Sequence, residues 1–276
     1  TVPRLRGNDI YLGGAYGSSV LATANVLMAA TLARGRTRIE NAACEPEIVD
    51  LAQFLNKMGA KIKGAGSHLI EIQGVKKLKG ARHRVIPDRI ETGSYMIAAA
   101  ITGGDVLLRN VVPAHNNALI DKMKKCGVSI TKYKDKIKVR RRRRHLRPID
   151  ITTFSYPGFP TDLQAQLMSL LCITPGISVI TEKIYPDRFI HISELNRMGA
   201  KIFLEGSSAI INGVKKLSGA PVMASDLRAS AALILAGLVA EGETEVHRVY
   251  HLDRGYERLE EKLSCLGAEI KREKEK

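Results

Sequence analysis

Hydrophobic and polar positions follow a pattern that recurs four times along the chain. Each copy begins with a residue that can cap a helix and continues through a helix rich in small and aliphatic residues to a glycine. A β-branched strand follows, then a polar turn, an amphipathic helix that ends in a second glycine, and a final strand pair. The pattern predicts a β-α-β-α-β-β repeat and hence an α/β fold.

Two sets of glycines define the repeat. The first set follows the first helix of each copy and consists of Gly35, Gly104, Gly176 and Gly242. The second set follows the amphipathic helix and consists of Gly59, Gly127, Gly199 and Gly267. Glycine is expected just past a helix end because it adopts positive φ. A period of roughly 70 residues is longer than that of ordinary solenoids, so each copy can form a sub-domain.

A proline marks the junction between the first and second repeats, in Val85-Ile86-Pro87-Asp88. Because proline punctuates regular structure, we expect a domain boundary there. The predicted organisation is a partial first domain at 1–86, with one complete repeat, and a second domain at 87–276, with three repeats.

Polar residues stand at the predicted start of the first helix in every repeat. They are Gly17-Ser18-Ser19, Asp88-Arg89-Ile90-Glu91, Thr161-Asp162-Leu163-Gln164 and Ser225-Asp226-Leu227-Arg228. Helix N-termini carry unpaired N–H groups and the positive end of the helix dipole. Several of them directed into one cleft would bind an anion, which together with a basic net charge suggests a phosphorylated small substrate.

The third of these helix starts carries the strongest local signals. The prolines of Tyr156-Pro157-Gly158-Phe159-Pro160 hold the preceding chain extended. Thr161 and Gln164 have the spacing of a capping box. Asp162 falls in the first turn, where its carboxylate either completes a cap or stays ionised beside an anion site. The stretch taken alone favours the cap.

Composition indicates a globular protein with an aliphatic core. Hydrophobic residues make up 45% and aromatic residues 5% of the chain, with no Trp. Four cysteines lie far apart, at Cys44, Cys126, Cys172 and Cys265, and indicate neither a zinc knuckle nor a disulfide framework. We therefore expect a reducing, cytoplasmic compartment. The longest apolar run, 229–240, is too short to span a bilayer, and no secretory signal is visible.

The formal net charge of +15 favours anionic partners such as nucleic acid, acidic lipid or phosphorylated metabolites. Much of the excess lies in a run around Arg140–Arg144. Such a run can bind nucleic acid electrostatically, but no aromatic residues interleave with it to stack on bases. Since the run falls where the last strand of one repeat leads to the next, a solvated loop is the favoured interpretation.

The chain resembles a known family at its helix starts, the UDP-N-acetylglucosamine 1-carboxyvinyltransferases, which are the enolpyruvyl transferases that open peptidoglycan synthesis. The likeness spans nearly the whole chain. The matching motifs are Ile39-Glu40-Asn41-Ala42-Ala43, Glu45-Pro46-Glu47-Ile48-Val49-Asp50, Pro87-Asp88-Arg89-Ile90-Glu91-Thr92-Gly93, Phe159-Pro160-Thr161-Asp162-Leu163-Gln164-Ala165-Gln166, Asp226-Leu227-Arg228-Ala229-Ser230-Ala231 and His251-Leu252-Asp253-Arg254-Gly255-Tyr256-Glu257. The enzymes that make 5-enolpyruvylshikimate-3-phosphate share the fold but are less similar at these motifs.

The resemblance implies an inside-out α/β barrel of six such repeats in two domains, with the active site between the domains. Four repeats are present here, and the chain begins at Thr1 without a Met. The first two repeats are expected on an upstream stretch, on a second chain, or nowhere. They would carry a Lys-Asn pair, several arginines and the proton-donor Cys; none of the four cysteines here occupies its loop position.

Carried over position by position, the resemblance implies a catalytic group. Asp162 is similar to the carboxylate that contacts the sugar 3-hydroxyl and acts as general base. Arg254 is similar to the arginine that binds phosphoenolpyruvate, although pairing with Asp253 or with Glu257 is the alternative role for it. Asp226 and Arg228 are implied to line the same region, and Asp226 is equally compatible with a helix cap.

The resemblance also implies a group that binds the nucleotide sugar. Its members are Gly17, Ser18, Ser19, Val20, Ile184, Asp88 and Glu91. Asp88 and Glu91 are equally compatible with a capping box. Gly17 stands where the family commonly has Lys, and Leu21 where it has Gly, which would crowd the backbone near the diphosphate. Tyr185-Pro186-Asp187-Arg188-Phe189 also departs from the usual Phe-Glu-Asn-Arg-Phe, so these positions put nucleotide affinity in doubt.

The implied reaction is an addition–elimination. The 3-hydroxyl of UDP-N-acetylglucosamine attacks C2 of phosphoenolpyruvate while C3 is protonated, and phosphate leaves the resulting tetrahedral ketal. This chemistry requires no metal and no cofactor. His247 and His251 have a spacing that could bind zinc on a helix, but no third ligand is evident and 246–249 is predicted as a strand.

Two other classes of function stay open at this point. One is a non-catalytic relative that binds nucleotide sugars and has lost the proton donor. The other is a nucleic-acid-binding protein that uses Arg140–Arg144. Replacing these arginines with Ser separates the classes, because only nucleic-acid binding would be lost.

Overall fold

The computed structural model of the chain describes residues 5–141 and 146–273. The chain forms two compact lobes. The first lobe comprises the residues up to Pro87 together with Phe154–Gly158, and the second comprises Asp88–Thr153 and the residues from Phe159 onward. Each lobe has a hydrophobic core of its own.

The first lobe is a four-stranded sheet with two helices. Its elements are β1 (Asp9–Tyr11), β2 (Gly13–Gly14), β3 (Gly17–Ser18), α1 (Val20–Ala30), β4 (Arg36–Glu40), α2 (Pro46–Lys57), β5 (Lys61–Lys63) and β6 (Leu69–Gln73). The sheet order is β1-β4-β6-β5, with β1 parallel to β4 and the other pairs antiparallel. Alternate strand residues such as Ile39, Ile70 and Ile72 are fully buried against the helices.

The second lobe contains the remaining elements. They are α3 (Arg89–Thr102), β7 (Asp105–Arg109), α4 (Asn117–Lys125), β8 (Ser129–Lys132), β9 (Lys136–Arg140), β10 (Ile151–Thr152), α5 (Gln164–Cys172), β11 (Ile177–Thr181), α6 (Ile192–Arg197), β12 (Lys201–Glu205), β13 (Ser208–Asn212), β14 (Leu217–Ser218), β15 (Pro221–Met223), α7 (Leu227–Gly237), β16 (Ala240–Glu241), β17 (Glu245–His247) and α8 (Leu259–Cys265). Three 3-10 helices span Pro113–Asn116, Thr161–Leu163 and Val249–Arg254.

The three first helices of the second-lobe repeats form the centre of this lobe. α3, α5 and α7 pack against one another, and every residue of α5 is buried. A helix buried on all sides needs mostly small and aliphatic residues, which the sequence places there, and the exceptions in α5 are Gln164, Gln166 and Ser169. The sheets β7-β9-β8 and β10-β11-β13-β12 lie on these helices, and the described strands form no closed sheet.

The amphipathic helices have one buried side, as the sequence predicts. In α2 the buried apolar residues include Ile48, Ala52 and Leu55, which are spaced as neighbours on one helix face. In α4 they are Leu119, Ile120 and Met123. Glycines 59, 127, 199 and 267 follow these helices with positive φ, so the second glycine set is confirmed.

An asparagine near the end of the amphipathic helix binds the edge strand that follows it. Asn56 donates from Nδ2 to the carbonyl of Ile62 and accepts from its N–H at Oδ1, both at 2.9 Å. Asn196 makes the same pair of bonds with Ile202, both at 3.0 Å. Because β5 and β12 are edge strands, these amides satisfy backbone groups that no neighbouring strand can reach.

Glycines also allow two backbones to approach closely where a repeat ends. Gly74 N donates to Gly35 O at 2.9 Å, and Gly213 N donates to Gly176 O at 3.0 Å. A Cβ at Gly74 would lie 1.7 Å from Ala33 O, and one at Gly213 would meet a carbonyl equally closely. No side chain fits at either position.

The second repeat makes the same connection with different residues. Arg141 N donates to Gly104 O at 3.2 Å, so Gly104 corresponds to the other members of the first glycine set in its hydrogen bond. The prediction of positive φ at Gly104 is wrong, because the left-handed residue is Gly103 with φ 75°. The Gly-Gly pair divides between two residues the tasks that one glycine performs elsewhere.

The fourth repeat departs from the predicted order. Residues 268–273 form no strand among the described residues, so the predicted final strand pair is wrong here. Ser264 Oγ still donates to the carbonyl of Ile270 at 3.2 Å, in the manner of the two asparagines. The short strands β14 to β17 pair only two by two. No helix in the described ranges is both long and apolar enough to cross a bilayer.

Candidate active site

Asp162 lies in the 3-10 helix Thr161–Leu163 that leads into α5. The predicted capping box of Thr161 and Gln164 does not form. Instead, Thr161 Oγ1 donates to Glu182 Oε2 at 2.9 Å and accepts from Arg188 Nη1 at 3.0 Å. The hydroxyl is therefore drawn away from the helix by a buried carboxylate and an arginine that are distant in sequence.

Two arginines bind one oxygen of Asp162. Arg188 Nη2 lies 2.8 Å and Arg228 Nε 3.1 Å from Asp162 Oδ1. The side chain of Asp162 is 34% exposed, and Oδ2 receives no hydrogen bond from the residues that the structure describes. One carboxylate oxygen is thus fixed by protein groups, while the other is open to a ligand.

The two arginines keep Asp162 ionised. Burial alone raises the pKa of this carboxyl, but the charges and hydrogen bonds of Arg228 and Arg188 outweigh it, so the pKa lies below its ordinary value. Burial likewise opposes the charge on Arg228, and Asp162 and Tyr256 more than compensate, so the pKa of Arg228 is raised. At neutral pH the group is a carboxylate that can accept a hydrogen bond.

The carboxylate of Glu182 supports this arrangement through hydrogen bonds. It is fully buried, and its Oε1 accepts from Thr153 Oγ1 at 2.5 Å and from the N–H groups of Ile184 and Tyr185 at 2.9 and 3.0 Å. With Thr161 at Oε2, both oxygens are satisfied, as a buried carboxylate requires. Sequence reasoning missed Glu182 because no local motif distinguishes it from any Glu that follows a strand.

Arg228 is fixed by its own helix and by an aromatic residue. Asp226 accepts from Arg228 N at 2.7 Å and Ala229 N at 3.0 Å, so it forms the helix cap that was one of its two possible roles. The guanidinium carbon of Arg228 lies 5.9 Å from the ring centroid of Tyr256. Gln166 Nε2 donates to Tyr256 Oη at 3.1 Å and to the carbonyl of Asp162 at 2.9 Å. This network ties α5 and α7 together at their N-termini.

A buried histidine lies beside the same groups. His191 is 1% exposed, and its Nε2 has no hydrogen-bond partner among the described residues. Burial lowers the pKa of His191 to about 4, while nearby Asp226 raises it and Arg188 lowers it. The imidazole is therefore neutral at neutral pH.

Arg254 ends the 3-10 helix Val249–Arg254, which packs against α7. Its side chain is exposed and makes no ion pair within the described residues. Asp253 pairs instead with Arg272 at 2.7 Å, so the alternative role as a partner of Asp253 or Glu257 does not occur. An exposed, uncommitted guanidinium is available to an anion.

Asp88 and Glu91 have structural roles at the start of α3. Asp88 Oδ1 accepts from Ile90 N at 2.7 Å and Glu91 N at 3.0 Å, which makes it the N-cap. Glu91 accepts from Lys262 Nζ at 2.7 Å, so its carboxylate binds α8 in place of the predicted reciprocal cap.

The predicted diphosphate segment belongs to the first lobe. Gly17 has φ 97°, Ser18 ends β3, and Ser19 caps α1 by accepting from Ala22 N at 3.2 Å. Val20 is the first residue of α1. Leu21 is 76% exposed, so its side chain projects from the helix.

Comparison with known proteins decides the family. A family model of EPSP synthase (3-phosphoshikimate 1-carboxyvinyltransferase) matches residues 3–263. The chain belongs to the EPSP synthase family. Several curated proteins similar to it bear the name UDP-N-acetylglucosamine 1-carboxyvinyltransferase, which confirms the resemblance to that family.

Two such members of the EPSP synthase family illustrate the likeness. The chain is 58% identical over 273 residues to UDP-N-acetylglucosamine 1-carboxyvinyltransferase 2 of Carboxydothermus hydrogenoformans. It is 57% identical over 269 residues to UDP-N-acetylglucosamine 1-carboxyvinyltransferase 1 of Caldanaerobacter subterraneus. The alignments cover 99% and 98% of this chain, and the chain spans 64% of the length of each relative.

Solved structures in the EPSP synthase family share the α/β fold. The enolpyruvyl transferase NikO from Streptomyces tendae is 26% identical with a TM-score of 0.85, covering 98% of this chain and 66% of its own. EPSP synthase from Acinetobacter baumannii is 22% identical with a TM-score of 0.72, covering 98% of this chain and 64% of its own, which supports the fold alone.

Proposed function

We propose that this chain is the larger part of an enzyme that transfers the enolpyruvyl group of phosphoenolpyruvate to the 3-hydroxyl of UDP-N-acetylglucosamine, with release of phosphate. The observation that carries the proposal is that the two carboxylate oxygens of Asp162 have different surroundings. Its Oδ1 is held by Arg188 and Arg228, and its Oδ2 is open. An ionised carboxylate with one free oxygen is the group that an attacking hydroxyl requires as proton acceptor.

The proposed steps balance in atoms and charge. Asp162 Oδ2 takes the proton of the sugar 3-hydroxyl while the oxygen attacks C2 of phosphoenolpyruvate and C3 gains a proton. Loss of a proton from C3 of the tetrahedral ketal phosphate then restores the double bond, and the C2–O bond to phosphate breaks. Phosphate departs with the electron pair of that bond.

The proposed role of each arginine depends on whether its guanidinium already has an ion-pair partner. Arg254 is exposed and uncommitted, so it is the proposed ligand of the phosphoenolpyruvate carboxylate or phosphate. Arg228 is already bound to Asp162, so it orients the base and adds positive potential where negative charge accumulates. Asp226 positions Arg228 through the helix cap.

The nucleotide sugar has its own proposed contacts. The N–H groups at the start of α1, with Gly17, Ser18, Ser19 and Val20, suit a diphosphate because helix N-termini favour anions. Ile184 offers an aliphatic contact beside Glu182, and its N–H is already used within the protein. Asp88 and Glu91 are proposed only as supports of α3, given their bonds to the helix and to Lys262.

The wider organisation remains part of the proposal. Domains at 1–86 and 87–276, four repeats of an inside-out barrel of six, and a cytoplasmic location follow the resemblance. The proton donor for C3 would come from the two further repeats, on an upstream segment or a second chain. The support for further repeats is that the chain spans 64% of the length of a relative to which it is 58% identical.

The direct test is phosphate release from phosphoenolpyruvate in the presence of UDP-N-acetylglucosamine. We expect Asp162→Asn to lower kcat by roughly 10²–10⁴-fold, the range typical of a lost general base. Asp121→Asn is the matched control, because Asp121 is an exposed aspartate paired only with Lys125. Full activity of Asp162→Asn would contradict the proposed base.

A second arm separates an incomplete enzyme from a binding relative. The part of the Carboxydothermus relative that this chain does not match is added as a separate polypeptide. Release that appears only with this addition supports the proposal of missing repeats. Binding of UDP-N-acetylglucosamine without turnover in either arm supports the non-catalytic alternative.

A further inference from the structure

One sheet of the second lobe carries a concentrated basic face that the proposed function does not use. The sheet β7-β9-β8 buries Ile137 and Val139 of its central strand against the helices. The alternate residues Lys136, Lys138 and Arg140 therefore point outward from this strand. We call these three residues with Arg109 of β7 the basic face.

Strand register fixes what surrounds these cations. Lys136 lies opposite Arg109 on one side and, through a hydrogen bond from Tyr133 N to its carbonyl at 2.9 Å, opposite Tyr133 on the other. Lys138 lies between Leu107 and Thr131. Tyr133 is 52% and Leu107 is 41% exposed, so the basic face includes two large side chains that are in contact with water.

One acid moderates the charge. Asp105 Oδ1 lies 3.3 Å from Lys138 Nζ, and its Oδ2 lies 3.6 Å from Arg140 Nε. Lys136 and Arg109 make no ion pair within the described residues. Exposed pairs such as those of Asp105 are weak, so all four cations can turn toward an anionic surface.

The repeats provide an internal comparison. On the first-lobe sheet, the two outward arginines of β4 are paired with acids, with Arg36 3.7 Å from Glu71 and Arg38 3.3 Å from Glu40, and only Lys61 and Lys63 of β5 are left as outward cations without an ion pair among the described residues. On the sheet β10-β11-β13-β12, the outward residues of the edge strand are Lys201, Phe203 and Glu205. The charge of the basic face is therefore a property of one repeat and is not a requirement of the fold.

The sequence that follows this sheet is also more basic than the corresponding sequences of the first and third repeats. The hydrogen bonds to Gly35, Gly104 and Gly176 align Gly74 and Gly213 with Arg141. After the aligned glycines the sequence reads Val75-Lys76-Lys77 and Val214-Lys215-Lys216, whereas Arg142-Arg143-Arg144-His145 follows Arg141. Arg142–Arg144 lie outside the described residues, and the basic face is defined without them.

We propose that the basic face docks on a bilayer surface that contains anionic phospholipid. Clusters of Lys and Arg bind acidic headgroups electrostatically, and each cation adds to the affinity. Tyr, which the basic face includes at Tyr133, is favoured at the boundary between lipid and water. Nucleic acid is disfavoured because Tyr133 is the only aromatic residue beside the four cations in the described structure, which offers no series of stacking positions.

The test measures partition of the whole chain onto vesicles of phosphatidylcholine, with and without phosphatidylserine. Binding is expected only with phosphatidylserine and is expected to weaken at high salt, since exposed charges are screened. The variant Arg109→Gln/Lys136→Gln/Lys138→Gln should lower the partition coefficient by roughly a hundred-fold, given the contribution of each cation.

A matched variant removes the same number of charges elsewhere. Lys61→Gln/Lys63→Gln/Lys201→Gln changes outward lysines on edge strands of the other two sheets. It should bind almost as the parent does. An equal loss in both variants would show that only net charge matters, and it would overturn the proposal.

A gain of binding provides a test that does not depend on the folding of a triple variant. Asp105→Asn frees Lys138 and Arg140 from their acid and should raise partition several-fold. Unchanged partition in Asp105→Asn contradicts the proposal. If the parent chain bound a DNA duplex and did not bind the vesicles, nucleic acid would be favoured as the partner instead. None of these readouts depends on enolpyruvyl transfer.

Discussion

At the scale of the residue, the candidate site depends on the buried carboxylate of Glu182, for which we propose no contact with a substrate. Glu182 binds Thr161, Thr161 binds Arg188, and Arg188 binds Asp162. Each member of this chain of contacts has its geometry set by the one before it. Asp162 is therefore oriented by two residues of the loop that follows β11, Glu182 and Arg188, which are far beyond the usual reach of a helix cap in sequence.

Local and distant interactions explain which side chains the sequence predicts. The cap that the sequence allows at Asp226 and Asp88 forms at both, because a cap involves only residues two or three positions away. Thr161 has the same local signal and fails to cap, because Glu182 and Arg188 compete for its hydroxyl. Those partners are brought in by the packing of the lobe, which no local pattern encodes.

His191 makes stability depend on pH. Its pKa is about 4 in the folded chain against 6.5 when exposed, so the unfolded chain binds more protons between these values. Stability is therefore expected to fall as the pH decreases from 6.5 toward 4, by about 3 kcal/mol in total. Asp162 does not contribute in this window, since its lowered pKa places its loss below pH 3.8.

Urea unfolding at a series of pH values measures this effect. His191→Gln should flatten the dependence between pH 6.5 and 4, and His247→Gln, at a more exposed histidine, should not. A nuclear magnetic resonance titration of the His191 ring gives the folded pKa directly. A value near 6.5 would remove the basis of this prediction.

At the scale of the element, the repeats protect their sheet edges with side chains. Asn56 and Asn196 occupy both backbone groups of Ile62 and Ile202 on edge strands. The corresponding residue of the fourth repeat is Ser264, which supplies one bond to a segment that is not a strand. In the second repeat Lys124 takes this place and β8 is still a regular strand, so the pair of amide bonds is a feature of the first and third repeats.

We expect Asn196→Ala to destabilise the chain by about 1–3 kcal/mol, because it leaves the N–H and carbonyl of Ile202 without their partners. Asn196→Ser should recover part of the loss by keeping one bond. Asn212→Ala, at an exposed asparagine on the neighbouring strand, is the control. The measurement is the free energy of unfolding in urea, and equal values for Asn196→Ala and the parent would refute the role of the amide.

At the scale of the whole molecule, the two lobes have separate cores. All buried members of the larger core lie between Ile90 and Leu263, and all those of the smaller core lie between Leu27 and Ile72. The connecting segment Phe154–Gly158 belongs to the first lobe although both its neighbours in sequence belong to the second. A hydrogen bond from Tyr156 N to Glu45 Oε1 at 3.3 Å is one of the contacts that attach this segment to the first lobe.

A fragment of residues 88–276 is therefore expected to fold and to unfold cooperatively, as followed by circular dichroism in urea. Hydrogen exchange at 154–158 should be faster in this fragment than in the whole chain, because the Glu45 acceptor is absent. A fragment of 98–276, which lacks the first nine of the 14 residues of α3, serves as the control and should not fold. An unfolded 88–276 fragment would show that the larger core is not sufficient.

The close approach at Gly74 and Gly213 has a consequence for how this chain can change over generations. The atoms that exclude a side chain there are main-chain oxygens, which no substitution elsewhere can shorten or remove. Compensating changes therefore cannot restore a lost glycine at either point, and these two positions are close to irreversible. In the second repeat Arg141 N makes the same bond at 3.2 Å, so a residue with a side chain occupies that position and the constraint does not apply there.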